Sequence, residues 1–245
     1  MPSPSQHAFS EKVALITDGT NPVGRAVAMQ LALFGAYVIV GFSSPTDADR
    51  NALEELKSLG TLANYFEADV SKVNGAKKLI AEVENLYGRL DLLVNCLKFE
   101  SDSAFEDTTE EIFDKIIDAN LKGTFFVTQE ALRLMKTRPK GKIVNIFSAC
   151  DSDETSKNPA FVAANSAMTG WTKSLAKTLP NKFRVNAVAV SEKEKALPHF
   201  DKFSKMDEEL FRVKKGIEVD DVARTVIYLL SSESIGLNGQ VLKIE

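Results

Sequence analysis

The stretch Thr17–Gly24, which reads TDGTNPVG, decides the fold of this chain because of what lies on each side of it. The preceding run, Val13–Thr17, has the length and apolar character of a buried strand. The following segment, Pro22–Phe34, repeats its apolar residues at helical spacing. The sequence therefore predicts a strand, a turn and a helix in direct succession, which is how a βαβ unit begins.

The same alternation continues to the end of the chain. Six more strand-length apolar runs follow: Tyr37–Phe42, Leu62–Phe66, Leu90–Asn95, Lys142–Phe147, Arg184–Ala189 and Gln240–Ile244. Segments with helical periodicity separate them: Ala48–Leu59, Val73–Tyr87, Thr109–Met135, Ala160–Thr178 and Val219–Leu230. This pattern predicts an α/β fold, a doubly wound Rossmann-like sheet of about seven parallel strands with helices on both faces. We expect one domain over residues 10–245, preceded by a flexible tail over residues 1–9.

Composition excludes several classes of protein. The 245 residues include 30 Lys and Arg against 34 Asp and Glu, a net charge of −4, so the chain lacks the positive field that attracts nucleic acid or an anionic membrane. The longest apolar runs are strand-sized, so no membrane span is expected. The only cysteines, Cys96 and Cys150, have no metal-binding spacing and suit a reducing compartment. We therefore predict a cytoplasmic protein without a metal site.

Several motifs carry a family resemblance. Thr17–Gly24 aligns without a gap with the Thr-Gly-x-x-x-Gly-x-Gly turn of the short-chain dehydrogenase/reductase family, which the chain resembles over about residues 9–245. Further matches are Asp69-Val70, Leu93-Val94-Asn95, Asn120, Ile143-Val144-Asn145 with Ser148, and Arg184–Val188. The resemblance implies an NAD(P)-dependent oxidoreductase fold. It also implies that the cofactor positions are Asp18, Pro22, Gly24, Asp69 and Asn95.

The turn departs from the family pattern at two of its three glycines. Asp18 stands at the first and Pro22 at the second, so only Gly24 remains. Pro22 lacks an N–H for a phosphate, and a carboxylate about 4 Å from a phosphate costs about 4 kcal/mol at an effective dielectric constant near 20. In the alternative reading, Pro22 simply begins the helix and Asp18 turns outward. We expect no dinucleotide to be bound by this chain with the family's usual contacts.

The walls of the expected cofactor trough are also altered. After the second strand, Gly41–Ser44 offers no charged residue to read the adenosine ribose. After the fourth strand, the family's Asn-Asn-Ala-Gly becomes Asn95-Cys96-Leu97-Lys98, with larger side chains. The sequence leaves two placements of Lys98 open, a pair with Asp18 or extension into solvent.

At two of the four catalytic positions implied by the resemblance, this chain has residue types that cannot perform the family's chemistry. Asn120 and Ser148 match the family. Phe161, however, occupies the position at which the family has Tyr, and Asn165 the position at which the family has Lys. The reaction needs a phenol to move the hydroxyl proton and an ammonium to lower that phenol's pKa. Phe161 has no proton to give, Asn165 has no charge, and the chain contains no Tyr-x-x-x-Lys. Asn120 and Ser148 are then interpreted as structural hydrogen-bonding residues. His7 and His199 are possible acid–base groups, for which a surface role is the favoured interpretation.

These departures favour a catalytically silent family member. We expect it to be a subunit of a heteromeric NAD(P)-dependent oxidoreductase, a heterodimer or heterotetramer whose active paralogue carries NAD(P). The chain resembles non-catalytic subunits of enzymes acting on hydroxyacyl or 3-oxoacyl thioesters, such as 2-[hydroxy(phenyl)methyl]succinyl-CoA dehydrogenase. Family members commonly form dimers through the helices corresponding to Thr109–Met135 and Ala160–Thr178. They form tetramers through the last helix and strand, here Val219–Leu230 and Gln240–Ile244. Two alternatives stay open: a self-sufficient reductase using Ser148 and water, and a metabolite-binding sensor.

Overall fold

A single parallel sheet organises the chain. The computed structural model describes residues 8–19, 21–43, 54, 57, 63–150, 158–191 and 219–244. Within them, seven strands pair in the order β3-β2-β1-β4-β5-β6-β7, and every pairing is parallel. Their bounds are β1 Val13–Thr17, β2 Tyr37–Phe42, β3 Ala63–Glu67, β4 Leu92–Asn95, β5 Gly141–Ser148, β6 Phe183–Val190 and β7 Val241–Ile244. The predicted fold class is confirmed.

Helices cover both faces of the sheet. They are α1 Pro22–Leu33, α2 Val73–Tyr87, α3 Glu110–Ile117, α4 Thr124–Met135, α5 Pro159–Thr178 and α6 Val219–Leu230. Helices α1 and α6 share one apolar core with the sheet, and α2, α4 and α5 belong to the core on the opposite face. The predicted helix Ala48–Leu59 lies outside the described residues apart from Glu54 and Lys57. The strand order reverses between β1 and β4, so a crevice opens at the carboxyl ends of these strands.

The helix predicted over Thr109–Met135 is present but is not a regular α-helix. A π-helical stretch, Asp118–Gly123, separates α3 from α4. Such wide turns are frequent at functional sites, and this one contains Asn120. The helix is capped by Thr109, whose hydroxyl accepts a hydrogen bond from Ile112 N.

Phe9, the last residue of the predicted tail, packs against the end of α1. Residues 1–7 lie outside the described part of the chain, so the predicted flexible tail stays a prediction there. Phe9 is buried, its amide donates to Phe34 O at 3.1 Å, and its ring lies 6.3 Å from the Phe34 ring. The folded structure therefore already includes Phe9, next to the end of α1.

A buried carboxylate joins the strands at the end of the sheet opposite the crevice. Asp91, 2% exposed, accepts a hydrogen bond from Val13 N at 3.0 Å and another from Arg138 Nε at 3.0 Å. Lys12 and Arg89 each place a nitrogen 3.8 Å from it. Asp91 thus links β1, the start of β4 and the chain after α4.

Lys142 on β5 gives the fold a pH dependence. Its Nζ donates to Ser231 O and to Ser234 Oγ, and burial, followed by the charges of Arg184 and Lys140, lowers its pKa from 10.5 to about 8. Between these two values the unfolded chain holds a proton that the folded chain has released, so stability rises with pH.

We therefore expect the free energy of unfolding of the wild type to rise by about 1 kcal/mol from pH 8 to 10 relative to Lys142→Met. This value is discounted because the side chain is partly exposed. Urea denaturation at several pH values measures the difference. Parallel pH profiles for the two proteins would contradict the assignment.

Candidate cofactor and catalytic site

The turn after β1 has an aspartate, Asp18, at the position of the family's first glycine. Asp18 adopts a positive φ of 49°, a left-handed conformation that Asp tolerates better than most residues. A Cβ on Gly24 would lie 2.7 Å from Asp18 O and 2.8 Å from Gly19 Cα. Gly24 is therefore required for the close packing of α1 against the turn.

Asn21 takes up hydrogen-bonding capacity that a phosphate would use. It is the N-cap of α1, and its Oδ1 accepts from Gly24 N at 2.8 Å. Its Nδ2 donates to Asp18 O at 2.7 Å and to an Asp18 carboxylate oxygen at 3.2 Å. Pro22 is the first helical residue, as one sequence reading proposed, and contributes no N–H. The amino terminus of α1 is thus partly capped from within the chain.

Cys96 packs behind this turn. Its thiol donates to Thr17 O at 2.6 Å, and its backbone N–H donates to Thr17 Oγ1 at 3.1 Å. Burial, with a smaller contribution from the Asp18 charge, raises the pKa of the Cys96 thiol far above its usual range. Cys96 is therefore a neutral packing residue that fixes the turn against β4.

A cavity of about 320 Å³ lies at the carboxyl ends of β1 to β4. Its apolar lining includes Phe42, Val70, Leu97 and Phe99. Its polar lining includes Asp18, Ser43, Asp69, Ser71, Lys72 and Lys98. Asp18 is one of the residues that line this cavity. The cavity brings together two of the predicted cofactor positions, Asp18 and Asp69.

Asp69 lies exposed on the rim of this cavity. Its Oδ1 accepts from Ser71 Oγ at 2.6 Å and from Ser71 N at 3.1 Å. The carboxylate is thereby oriented by a short local turn, and it is able to accept a further hydrogen bond from a ligand amine.

Asn95, by contrast, lies inside the protein. Its Nδ2 donates to Asn145 Oδ1 at 2.9 Å and to Thr128 Oγ1 at 3.0 Å, and Asn145 donates in turn to Thr172 at 3.0 Å. The chain of hydrogen bonds ties β4 and β5 to α4 and α5. Asn95 thus acts here as a structural residue of the core.

The two substituted catalytic positions are packed into the structure. Phe161 is 2% exposed and lies in an apolar cluster with Ile116 and Ala164. Asn165 is equally buried, and its Oδ1 accepts from Ser148 N at 3.0 Å while its Nδ2 donates to Phe161 O at 2.9 Å. Asn165 therefore connects α5 to the end of β5 instead of presenting a cation to the crevice.

The side chain of Asn120 is also hydrogen-bonded to other groups of the protein. Its Nδ2 donates to Phe99 O at 2.7 Å and to Ile116 O at 2.9 Å, and its Oδ1 accepts from Phe99 N at 3.3 Å. The π-helical stretch turns Asn120 toward the chain after β4. Asn120 thus fixes the backbone of Phe99, one wall of the cavity.

Lys98 lies closer to the catalytic positions than either sequence reading proposed. Its Nζ is 3.2 Å from Glu100 Oε2 and 5.7 Å from the centre of the Phe161 ring. Such a distance from an aromatic face allows a cation–π interaction. The ammonium is thus placed over a ring that has no hydroxyl group.

These residues suit only part of an NAD(P) molecule. The cavity with Asp69 and apolar walls suits the adenosine end. The pyrophosphate end does not fit, because Asp18 is an acid, Pro22 has no N–H and the Gly24 N–H is already bonded. The reacting end does not fit either, because Phe161 and Asn165 offer neither a transferable proton nor a charge.

Comparison with known proteins identifies the family. The family model described as "Enoyl-(Acyl carrier protein) reductase" matches residues 19–245. The chain belongs to the short-chain dehydrogenase/reductase family. It is 31% identical over 238 residues to the 3-oxoacyl-[acyl-carrier-protein] reductase FabG of Staphylococcus epidermidis, covering 95% of this chain and 97% of that protein. It is 32% identical to the Thermotoga maritima FabG, covering 96% of each chain.

A solved relative has the same architecture. The chain superposes on the actinorhodin polyketide ketoreductase with NADPH at a TM-score of 0.82 and 26% identity, covering 96% of this chain and 95% of that one. The family is one of NAD(P)-dependent oxidoreductases. The fold and the family membership predicted from the turn and its companion motifs are therefore confirmed.

Other predicted features have simple outcomes. His7 and His199 lie outside the described residues. Within the described ranges, no three His, Cys, Asp or Glu side chains are grouped to hold a metal ion. None of the described helices combines the length and apolar character needed to cross a membrane.

Two residues of the site, Asn21 and Phe99, were not predicted from the sequence. For Asn21 a signal was available, because an Asn directly before a Pro that begins a helix is typical of an N-cap.

Proposed function

We propose that this chain is a catalytically silent short-chain dehydrogenase/reductase subunit, which assembles with an active paralogue into an oxidoreductase for hydroxyacyl or 3-oxoacyl thioesters. The observation that carries the proposal is the pair Phe161 and Asn165. One is a buried ring without a proton, and the other is an amide bonded at both ends to the protein. Loss of a general acid–base group typically costs about 100- to 10,000-fold in rate.

The substrate class is supported by the relatives. Two FabG proteins that align along almost their full length are named 3-oxoacyl-[acyl-carrier-protein] reductases. A silent subunit that evolved beside such an enzyme would belong to a complex that acts on the same class of thioester. The active paralogue would carry NAD(P), the proton donor and the ammonium that this chain lacks.

An exposed aromatic surface supports a partner. Phe113 on α3 is 46% exposed, Phe125 on α4 is 43% exposed, and the Phe125 ring lies 6.3 Å from Trp171 on α5. The outer side of α5 near Trp171 carries exposed small residues, including Ala167 and Gly170, which allow another helix to approach closely. Exposed apolar groups of this kind mark interaction sites. An assembly of identical copies would leave every site without its proton donor, so the proposal requires a different chain.

Two measurements test the proposal. With NADH or NADPH and a 3-oxoacyl thioester, the purified chain is expected to turn over at least about 10,000-fold more slowly than the S. epidermidis FabG. Native mass spectrometry of the tagged protein isolated from its own organism is expected to show a mixed dimer or tetramer with a family member that has Tyr and Lys. Turnover that disappears in Ser148→Ala, or a complex of identical chains alone, would overturn the proposal.

A charge placed on the aromatic surface tests the interface. We expect Phe125→Glu to reduce the fraction of mixed complex at least about tenfold, because the substitution places a carboxylate in a desolvated contact. Leu33→Glu on α1, which is 55% exposed on the other face of the molecule, is the matched control and should leave assembly unchanged.

A further inference from the structure

Positive charge is concentrated at the end of the sheet opposite the crevice. Among the described residues, the segments that lead into the strands, with the first two residues of each strand, contain eight cations: Lys12, Arg89, Lys136, Arg138, Lys140, Lys142, Lys182 and Arg184. The same segments contain three carboxylates: Glu11, Asp91 and Glu233. We call this surface the basic end. It is positive although the chain as a whole has a net charge of −4.

The crevice end has the opposite charge. The described segments that follow the strands contain six carboxylates: Asp18, Asp69, Glu100, Asp102, Glu106 and Asp107. They contain two cations, Lys72 and Lys98. The molecule is thus polarised along the direction of its strands. An anionic surface would attract the basic end and repel the crevice end.

The cations of the basic end are bonded mainly to groups that do not cancel their charge. Three of them share the single carboxylate of Asp91: Lys12, Arg89 and Arg138. Lys182 donates hydrogen bonds to two backbone carbonyl oxygens, and Arg184 donates to three. Carbonyl groups are neutral, so these bonds hold the side chains in place and leave the positive charge at the surface.

Exposed aliphatic side chains lie beside these cations. Leu33 at the end of α1 is 55% exposed, Leu86 at the end of α2 is 49% exposed, and Ile235 after α6 is 60% exposed. The Ile235 carbonyl accepts a hydrogen bond from Arg184 Nε at 3.0 Å. Helices α1 and α6 cover one face of the sheet and α2 covers the other. The basic end therefore has aliphatic side chains on both sides of its cations.

This arrangement fits a lipid surface. Neighbouring strands lie about 4.8 Å apart, so the cations at the starts of β1, β4, β5 and β6 are spread over about 14 Å. A membrane interface offers phosphates to the cations and hydrocarbon to the aliphatic side chains at the same time. A nucleic acid would satisfy the cations alone.

We propose that the basic end docks this chain on the surface of an anionic lipid membrane, with the crevice directed away from the lipid. The attachment would be electrostatic, assisted by shallow insertion of the aliphatic side chains. This inference goes beyond the proposed function, because neither the loss of catalysis nor assembly with a paralogue requires a membrane.

Vesicle flotation tests this inference. The tagged protein, isolated from its own organism with any subunit that accompanies it, is mixed with vesicles of about three parts phosphatidylglycerol to seven parts phosphatidylcholine. Its affinity for these vesicles is expected to be at least about tenfold higher than for phosphatidylcholine alone. The affinity should fall at least about tenfold between about 0.1 and 0.5 M NaCl, because salt screens the attraction.

Charge reversal locates the contact. Lys136→Glu/Lys140→Glu is expected to lower the affinity for the anionic vesicles at least about tenfold, because both side chains are exposed at the basic end. The matched control is Lys77→Glu/Lys78→Glu, the same change at exposed positions in the first half of α2, which should stay within about twofold of the wild type. Melting temperatures check folding. If the reversal lowers them, Lys136→Gln/Lys140→Gln should still reduce the affinity at least about threefold.

A second pair of variants tests the aliphatic contribution. Ile235→Ser is expected to lower the affinity about threefold, because it removes apolar area that the lipid would bury. Phe105→Ser, at a side chain that is 69% exposed at the crevice end, should have no effect.

Three results would overturn the membrane site. They are equal affinity for the two kinds of vesicle, wild-type affinity in both the Glu and the Gln variants of Lys136 and Lys140, and tighter binding of a DNA duplex or of polyglutamate than of the anionic vesicles at the same salt concentration. The last result would indicate a different polyanion as the partner. All three would leave the proposed function standing, because native mass spectrometry measures assembly with the paralogue separately.

Discussion

Reduction of a 3-oxoacyl thioester by NADPH is expected to rise by about 100- to 10,000-fold over the wild type in the variant Asp18→Gly/Pro22→Gly/Phe161→Tyr/Asn165→Lys. This variant restores the turn and the proton-transfer pair together. Gly at position 18 accepts the positive φ that Asp18 already adopts, so the turn need not change its shape. Tyr and Lys at the other two positions would supply the proton and the charge.

Either pair of substitutions alone is expected to raise the rate less than about tenfold. Phe161→Tyr/Asn165→Lys leaves the carboxylate of Asp18 and the missing N–H of Pro22 at the phosphate end. Asp18→Gly/Pro22→Gly leaves no group to transfer the proton. Groups that act as one unit contribute non-additively, so the two pairs should show strong coupling.

Steady-state rates of the three variants, with melting temperatures as the control for folding, measure this coupling. The folding control is needed because Asn165→Lys removes the hydrogen bonds from Ser148 N and to Phe161 O. High activity of Phe161→Tyr/Asn165→Lys alone would mean that the turn still holds a dinucleotide. An inactive but folded fourfold variant would mean that Cys96 and Lys98 also block the trough.

The largest effect on stability is expected at Asp91. We expect Asp91→Ala to lower the free energy of unfolding by about 3 kcal/mol, because it leaves Val13 N without its acceptor and Arg138 without its carboxylate. Asp91→Asn should cost about half as much, since its amide oxygen is still able to accept from Val13 N. Urea denaturation at pH 7 measures both values.

The matched control is Glu111→Ala, which breaks an exposed pair with Lys115 on α3. It should cost less than about 1 kcal/mol, because exposed ion pairs contribute little. If Asp91→Ala cost no more than this control, the carboxylate would not be the tie between β1 and β4 that the geometry indicates.

The absence of Tyr and Lys from the family's catalytic positions could be predicted from the sequence, but how the residues that replace them are held in the fold could not. Counting from Ser148 to Phe161 and Asn165 is sufficient to show that the phenol and the ammonium are missing. That Asn165 bonds to Ser148 N and Phe161 O depends on how α5 lies against the end of β5. Likewise, the sequence allowed two placements for Lys98, and the structure sets its Nζ near Glu100 and the Phe161 ring, a contact that requires the loop after β4 to meet α5.

By itself, the sequence determined the α/β fold, the seven strands, the family and the absence of the family's Tyr and Lys, since these depend on periodicity, spacing and residue type along one segment at a time. Only the tertiary structure decided that Asp18 lines the cavity, that Asn21 bonds to Gly24 and Asn120 to Phe99, and that Asp91 joins two strands. The physical reason is that hydrogen-bond partners far apart in sequence are selected by packing. The pattern of residues along the chain does not indicate which distant backbone group will lie within about 3 Å of a given side chain.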